Sequence, residues 1–347
     1  MNNILEVKDF SLAFAMYDGV FHRRMLNVIT NLNITVGEGE MVAVAGSSGS
    51  GKSLLAHGIM GILPQNAVTG GSVLWRGQPM TPKLLKKIRG RALAFVPQSV
   101  TYLDPLIRVG RQITRDKGKL GELISRYHLK PEVARLYPHE LSGGMTRRIM
   151  ICAALAGSPE LVVADEPTPG LSRHLAEHAM KHFREMADAG AGVLLVTHDI
   201  ELAIRFADRI AVFYGGTTVE TADAADFVNG DGRYPNGRDG GDGAGVGQVT
   251  GDSQDAGGDG AGAGSEPDGT GRRQGDGVGL RHPYSKALWA AMPQNGFVPT
   301  PGVQPYAGDL PAGCLYAPRC PMRTQACDVA PEPRPLRGGV VSCHHAV

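Results

Sequence analysis

Short apolar runs recur along the first two-thirds of the chain, each bounded by turn-forming residues: Met41–Ala45, Ala92–Val96, Leu161–Ala164, Val193–Thr197 and Arg209–Tyr214. Uninterrupted runs of this length read as strands buried on both faces. Stretches with helical spacing lie between them, such as Leu54, Leu55, Ile59 and Leu63. Strands alternating with helices predict an α/β domain with a parallel sheet. Residues 104–152 hold no comparable strand and several helical patterns, which predicts a helical subdomain inserted into the sheet domain. Residues 1–228 are therefore expected to fold as one unit.

The pattern then stops. Residues 229–279 hold 19 glycines, 8 aspartates and a single aromatic, Tyr234. Such a stretch buries too little apolar area to offset the entropy of ordering it, so a flexible linker is expected. A calcium-binding Gly/Asp repeat is the alternative, but no nonapeptide period runs through it. Residues 280–347 regain aromatic, proline and cysteine content and are expected to form a small second module.

Charge narrows the field. With 35 Lys+Arg against 34 Asp+Glu, the net charge is +1, so a polybasic nucleic-acid binder is not expected. The basic stretch Lys83–Arg91 lacks interleaved aromatics and reads as a solvated face. No apolar run reaches the ~18 residues that span a bilayer. Met1-Asn2-Asn3 does not open a basic-then-apolar leader. The expected place is the cytosol, or the cytosolic face of a membrane. Of five cysteines, Cys152 stands alone on an apolar helix face and reads as a small buried hydrophobe, while Cys314, Cys320, Cys327 and Cys343 crowd the last 34 residues. In a cytosolic chain such a cluster points to metal before disulfides.

Three motifs carry chemistry. Gly46-Ser47-Ser48-Gly49-Ser50-Gly51-Lys52-Ser53 fits the G-x-x-x-x-G-K-[ST] phosphate loop, between a strand and a helix. Its backbone N–H groups and the helix N-terminus suit phosphate oxygens, Lys52 suits the β and γ phosphates, and the Ser53 hydroxyl suits Mg²⁺. Leu161–Ala164 ends in Asp165 and Glu166, where a strand beside a phosphate loop places one acid near the metal and one near the γ-phosphate. Leu141-Ser142-Gly143-Gly144-Met145 opens a helical run and is either a second phosphate-binding turn or a helix cap.

Along the chain the order is phosphate loop, Gln98, Leu141–Met145, Asp165-Glu166, then His198 after the strand Val193–Thr197, and in that order the motifs resemble the ABC-type ATPases over about residues 4–222. The resemblance implies a P-loop nucleotide-binding domain whose ATP is sandwiched between two such domains, so that Ser142, Gly143 and Gly144 serve ATP held by a partner. It makes Gln98 a glutamine that meets Mg²⁺ or water and faces the membrane partner, Glu166 the residue that orients or deprotonates the attacking water, and His198 the sensor of the γ-phosphate. It implies an aromatic under the adenine; Phe14, Tyr17 and Phe21 compete, and Tyr17 is preferred. Tyr102, Leu103, Asp104 and Pro105 fall where the family docks its permease. Met145 stands where glutamine is usual, and Ser172 where an aspartate is usual in the loop crossing the dimer interface. Arg147 and Arg148 are expected on an exposed helix start.

The tail narrows the resemblance. His282-Pro283-Tyr284-Ser285-Lys286-Ala287-Leu288 and the Cys314-x5-Cys320-x6-Cys327-x15-Cys343 pattern are similar to the C-terminal region of oligopeptide, dipeptide and nickel importer ATPases, whose four cysteines are associated with a 4Fe–4S cluster. Zinc is the first alternative, although no C-x₂-C pair is present, and unligated thiols or disulfides the second; His344 and His345 read as exposed tail residues, with replacement of a ligand as the alternative. The resemblance implies an ATPase that drives peptide uptake, with nickel or another metal chelate, or a regulatory subunit of low hydrolysis, as alternatives. It also implies two membrane permeases, a solute-binding protein and a second related ATPase, with Ser172 favouring a heterodimer over a homodimer, and no nucleic-acid partner.

Overall fold

The computed structural model describes residues 2–18, 22–228, 279–306 and 308–347. The expected linker lies outside these residues apart from Gly279, and so does Phe21. The chain opens with two long strands, β1 (Asn3–Asp18) and β2 (His22–Gly37), then β3 (Met41–Gly46), α1 (Lys52–Met60), β4 (Ala67–Trp75), β5 (Gln78–Pro79) and α2 (Pro82–Ile88). It continues through β6 (Leu93–Val96), α3 (Val109–Ile113), α4 (Lys117–Arg126), α5 (Gly143–Leu155), β7 (Leu161–Asp165), α6 (Arg173–Asp188), β8 (Gly192–Thr197), α7 (Ile200–Phe206), β9 (Arg209–Tyr214) and β10 (Thr217–Asp223). After residue 279 come α8 (Pro283–Ala290), β11 (Arg334–Leu336) and β12 (Gly339–Val341).

The main sheet runs β11-β12-β10-β9-β3-β8-β7-β6. Its five strands from β9 to β6 are parallel, and all five are those the apolar runs predict. Their continuous apolar character has a direct cause. Met41, Ala43 and Ala45 join a core with α3 to α8, while Val42 and Val44 join a second core with α1, β1 and β2. Alternate residues of one strand thus enter opposite cores, and neither face is left for polar residues.

The second core is roofed by an antiparallel sheet ordered β2-β1-β4-β5, a layer the apolar runs do not predict. Between β6 and β7 lie α3, α4 and α5 and no strand.

The tail differs from a separate module. Strand β12 pairs with β10, Glu220 facing Val341, and Leu280, Tyr284, Trp289 and Tyr316 belong to the same core as α5 and α6. Residues 279–347 therefore extend the main sheet and share its core, with a small cluster of their own made by Val341, Cys343, Ala346 and Leu336. A buried charge fixes the junction: Glu220 on β10 accepts the backbone N–H groups of Arg281 and His282, each at 2.9 Å, and pairs with the Arg281 guanidinium at 3.2 Å. Arg281 also meets Asp226 at 2.8 Å.

Candidate functional site

The phosphate loop leaves β3 at Gly46 and enters α1 at Lys52. Gly46 is a close-approach glycine: a β-carbon there would stand 2.3 Å from the Phe213 carbonyl oxygen. Gly51 caps α1 with φ +95°, the left-handed region where glycine carries no steric cost. Lys52, 7% exposed, donates from Nζ to the Gly46 and Ser47 carbonyls at 2.9 and 2.8 Å. Burial lowers its pKa, and the carboxylates of Glu166 and Asp165 oppose the shift. The Ser50 hydroxyl is buried in the loop without a protein partner.

Strand β7 delivers the two acids. Asp165 is fully buried; its Oδ1 accepts the Ser53 hydroxyl at 3.0 Å and its Oδ2 has no protein partner. Burial pushes its pKa up to about 6, against the hydrogen bond from Ser53 and the charge of Lys52. An orphaned buried carboxylate oxygen beside a serine hydroxyl is a donor set that suits a hard divalent cation such as Mg²⁺. Glu166 sits at φ +48°, rare for a residue with a side chain, and is buried. Its Oε2 meets Nδ1 of His198 at 2.7 Å. His198 follows β8 and is exposed, so the pair spans from the interior to the surface.

The structure thus gathers Gly46–Ser53, Asp165, Glu166 and His198 at the ends of β3, β7 and β8, the end of a parallel sheet where such folds bind ligands. Gln98 is exposed just past β6. Ser142 and Gly143 are exposed on a separate element, the start of α5, where Ser142 Oγ accepts the Met145 N–H at 3.4 Å. Ser172 is the N-cap of α6 but makes no side-chain capping bond. Tyr17 is 74% exposed near the end of β1, whereas Phe14 packs on the second core.

Two contacts were not legible in the sequence. Arg147, expected on an exposed face, is buried and donates to the Pro97 carbonyl at 2.9 Å, tying α5 to the Gln98 loop. Burial lowers its pKa, opposed by Asp165 and Glu166. Nothing in the pattern around it distinguishes it from Arg148, which is half-buried and caps the Tyr127 and His128 carbonyls. The second is Tyr284, whose hydroxyl accepts the Ser47 N–H at 3.2 Å.

All five cysteines are free thiols. Cys152 is buried, its pKa pushed up to about 12, as an inert core residue. In the tail, Cys314 N–H donates to the Cys327 carbonyl at 2.9 Å and His345 N–H to Cys343 Sγ at 3.3 Å. Burial raises the Cys314, Cys320 and Cys343 thiols, and neighbouring tail cysteines add to each shift. Among the described residues, no group of three or more His, Cys, Asp or Glu is placed to hold a metal ion. The described tail thus presents no preassembled site, for a single zinc or for a larger cluster. What the four thiols supply is a soft donor set, with the His345 N–H aimed at Cys343 Sγ, the chemistry that iron–sulfur clusters use. His344 and His345 are engaged elsewhere, with the Val329 carbonyl and the Thr324 hydroxyl.

Residues 29–169 match the ABC transporter family, and residues 279–327 match the oligopeptide/dipeptide transporter C-terminal region. A putative peptide import ATP-binding protein of Brucella melitensis is 31% identical over 98% of this chain and 93% of its own length. The chain belongs to the ABC transporter ATP-binding subunits. The oligopeptide transport ATP-binding protein OppD of Bacillus subtilis is 32% identical over 68% of this chain and 70% of that protein. A dimeric ATP-binding cassette, solved in a post-hydrolysis state with ADP and phosphate, superimposes with a TM-score of 0.56 at 26% identity, covering 63% of this chain and 98% of that one. As a member of the family, this ABC ATPase couples ATP hydrolysis to transport. Among its described residues, no helix is long and apolar enough to cross a membrane.

Proposed function

We propose that this ABC ATPase powers peptide uptake from the cytoplasmic face of the membrane, in company with two permeases, a solute-binding protein and a second, non-identical ATPase subunit. The observation that carries the hydrolytic reading is the pairing of two contacts: Glu166 with His198 at 2.7 Å, and Ser53 with Asp165 at 3.0 Å. The peptide reading rests on the family matched by residues 279–327 and on relatives named for peptide import. Nickel or other metal-chelate uptake draws support from neither.

In this reading the N–H groups of Ser48–Ser53 and the Lys52 amine receive the ATP phosphates. Ser53, Asp165 and Gln98 would hold Mg²⁺, which supplies charge neutralisation across the phosphates. Glu166 accepts a proton from the attacking water, and His198 keeps its carboxylate aimed. Tyr17 stacks on the adenine. Ser142, Gly143 and Gly144 close over ATP held by the partner ATPase, and the exposure of Ser142 and Gly143 leaves them free to do so. Ser172, without a charge, weakens the link between the two ATP sites. The thiols of Cys314, Cys320, Cys327 and Cys343 would hold a 4Fe–4S cluster, which would supply a cross-link across the tail; iron and acid-labile sulfide after anaerobic purification test it, and zinc without sulfide would overturn it.

Uptake of labelled peptides into cells carrying Glu166→Gln tests the main reading. Loss of uptake with retained ATP binding is expected. Normal uptake would make the chain a regulatory, non-hydrolysing subunit.

A further inference from the structure

The geometry points to Tyr284 as a positioning residue for the nucleotide, acting through the phosphate loop; the inference rests on reading Gly46–Ser53 as the ATP site. The loop is built of glycine and serine and has little side-chain packing of its own to fix its shape. Two groups outside its backbone hold its first peptide units. From one side the Lys52 amine takes the Gly46 and Ser47 carbonyls. From the other the Tyr284 hydroxyl takes the Ser47 N–H at 3.2 Å. Gln304, also from the tail, meets the Ser47 hydroxyl.

Tyr284 is itself tightly determined. It is 4% exposed, with its ring 4.5 Å from that of Tyr214 and 5.3 Å from that of Tyr316. It lies in the first turn of α8, where His282 Nδ1 caps its N–H at 2.9 Å. His282 and Arg281 are in turn fastened to Glu220 on β10. A continuous chain of contacts therefore runs from β10 through α8 to the second residue of the phosphate loop. Its last link is one hydroxyl, which phenylalanine removes while keeping the ring. A preformed loop binds phosphate without first having to order itself, so the hydroxyl should lower the dissociation constant of any nucleotide that uses the loop.

The test measures MgATP and MgADP binding to the full chain, with ATPase kinetics of the assembled complex, for Tyr284→Phe, Tyr316→Phe and Lys52→Ala. Loss of one neutral hydrogen bond should raise both dissociation constants about three- to tenfold in Tyr284→Phe. KM for ATP should rise in step while kcat stays within about twofold, the pattern of lost uniform binding. Tyr316→Phe, a packing control, should bind as wild type. Lys52→Ala should lose binding outright; if it binds normally, the site itself is misassigned. If Lys52→Ala loses binding but Tyr284→Phe binds as wild type, the positioning role is overturned, whatever its melting temperature. Gln304→Ala, on a half-buried segment, gives a second reading should Tyr284→Phe not fold: a raised dissociation constant supports the link from tail to loop, and an unchanged one overturns it.

Discussion

Glu166 combines a left-handed backbone, burial and a hydrogen bond to His198. Strain of about 1–3 kcal/mol persists at such a residue only where the surroundings hold it in place. Here its own N–H donates to the Val196 carbonyl at 2.9 Å, which locks the turn that follows β7. Glu166→Gln keeps the shape and removes the base, so steady-state ATPase activity should fall about 10²- to 10⁴-fold with the melting temperature little changed. Arg147 makes the opposite case. It touches no expected substrate position, yet Arg147→Ala would leave the Pro97 carbonyl without its partner and remove a buried positive charge that Asp165 and Glu166 feel. Urea unfolding should show a loss of about 1–3 kcal/mol. The sequence pattern exposes the acids because an apolar strand ending in Asp-Glu is distinctive. It hides Arg147 because an arginine's burial depends on a carbonyl fifty residues away, which no local pattern encodes.

The elements divide in the same way. The five parallel strands were legible because both their faces are buried, which leaves a mark in every residue. The antiparallel roof was not. Strands β1 and β2 are interrupted by register shifts, with Asp9 and Asn31 at positive φ, so their alternation slips from one face to the other along their length. Strands β10, β11 and β12 escaped for another reason: β11 and β12 are three residues each and take meaning only from pairing with β10. The salt bridge between Glu220 and Arg281 holds this edge, with both side chains almost wholly buried. Glu220→Ala strands the guanidinium and frees two backbone N–H groups, so a loss of about 3–5 kcal/mol is expected in urea unfolding. A loss below ~1 kcal/mol would mean that Asp226 alone suffices.

Over the whole molecule, buried histidines set the response to acid. His282 is wholly buried and its pKa is pushed down to about 3; His182, against Tyr127, falls to about 4, with Arg126 and the neighbouring His178 adding to its burial. The unfolded chain protonates both near 6.5, and the folded chain does not, so stability is lost as pH falls from about 6.5 toward 4. Asp165 acts the other way: its pKa, raised to about 6 from 3.8, makes the folded state the better proton binder between those values. Two groups oppose one, so the net slope should be destabilising with acid. Melting temperatures at pH 7.5 and 5 measure it, and His282→Gln, which caps α8 without titrating, should flatten the difference. A difference unchanged by that substitution would place the acid response elsewhere.

The pairing of β12 with β10 has a consequence in time. Synthesis runs from N- to C-terminus, so every motif that reads as an ATPase has been made before Gly339–Val341 exists. Strand β10 must meanwhile wait with an open edge, and the Glu220 carboxylate with no Arg281 until residue 281 arrives. The sheet closes only once Gly339–Val341 has been made. A polypeptide cut short by an early stop would carry an intact phosphate-loop sequence with the Ser47 amide unheld. The order of synthesis thus separates motif from architecture: the main sheet is whole only in a molecule that extends through β12.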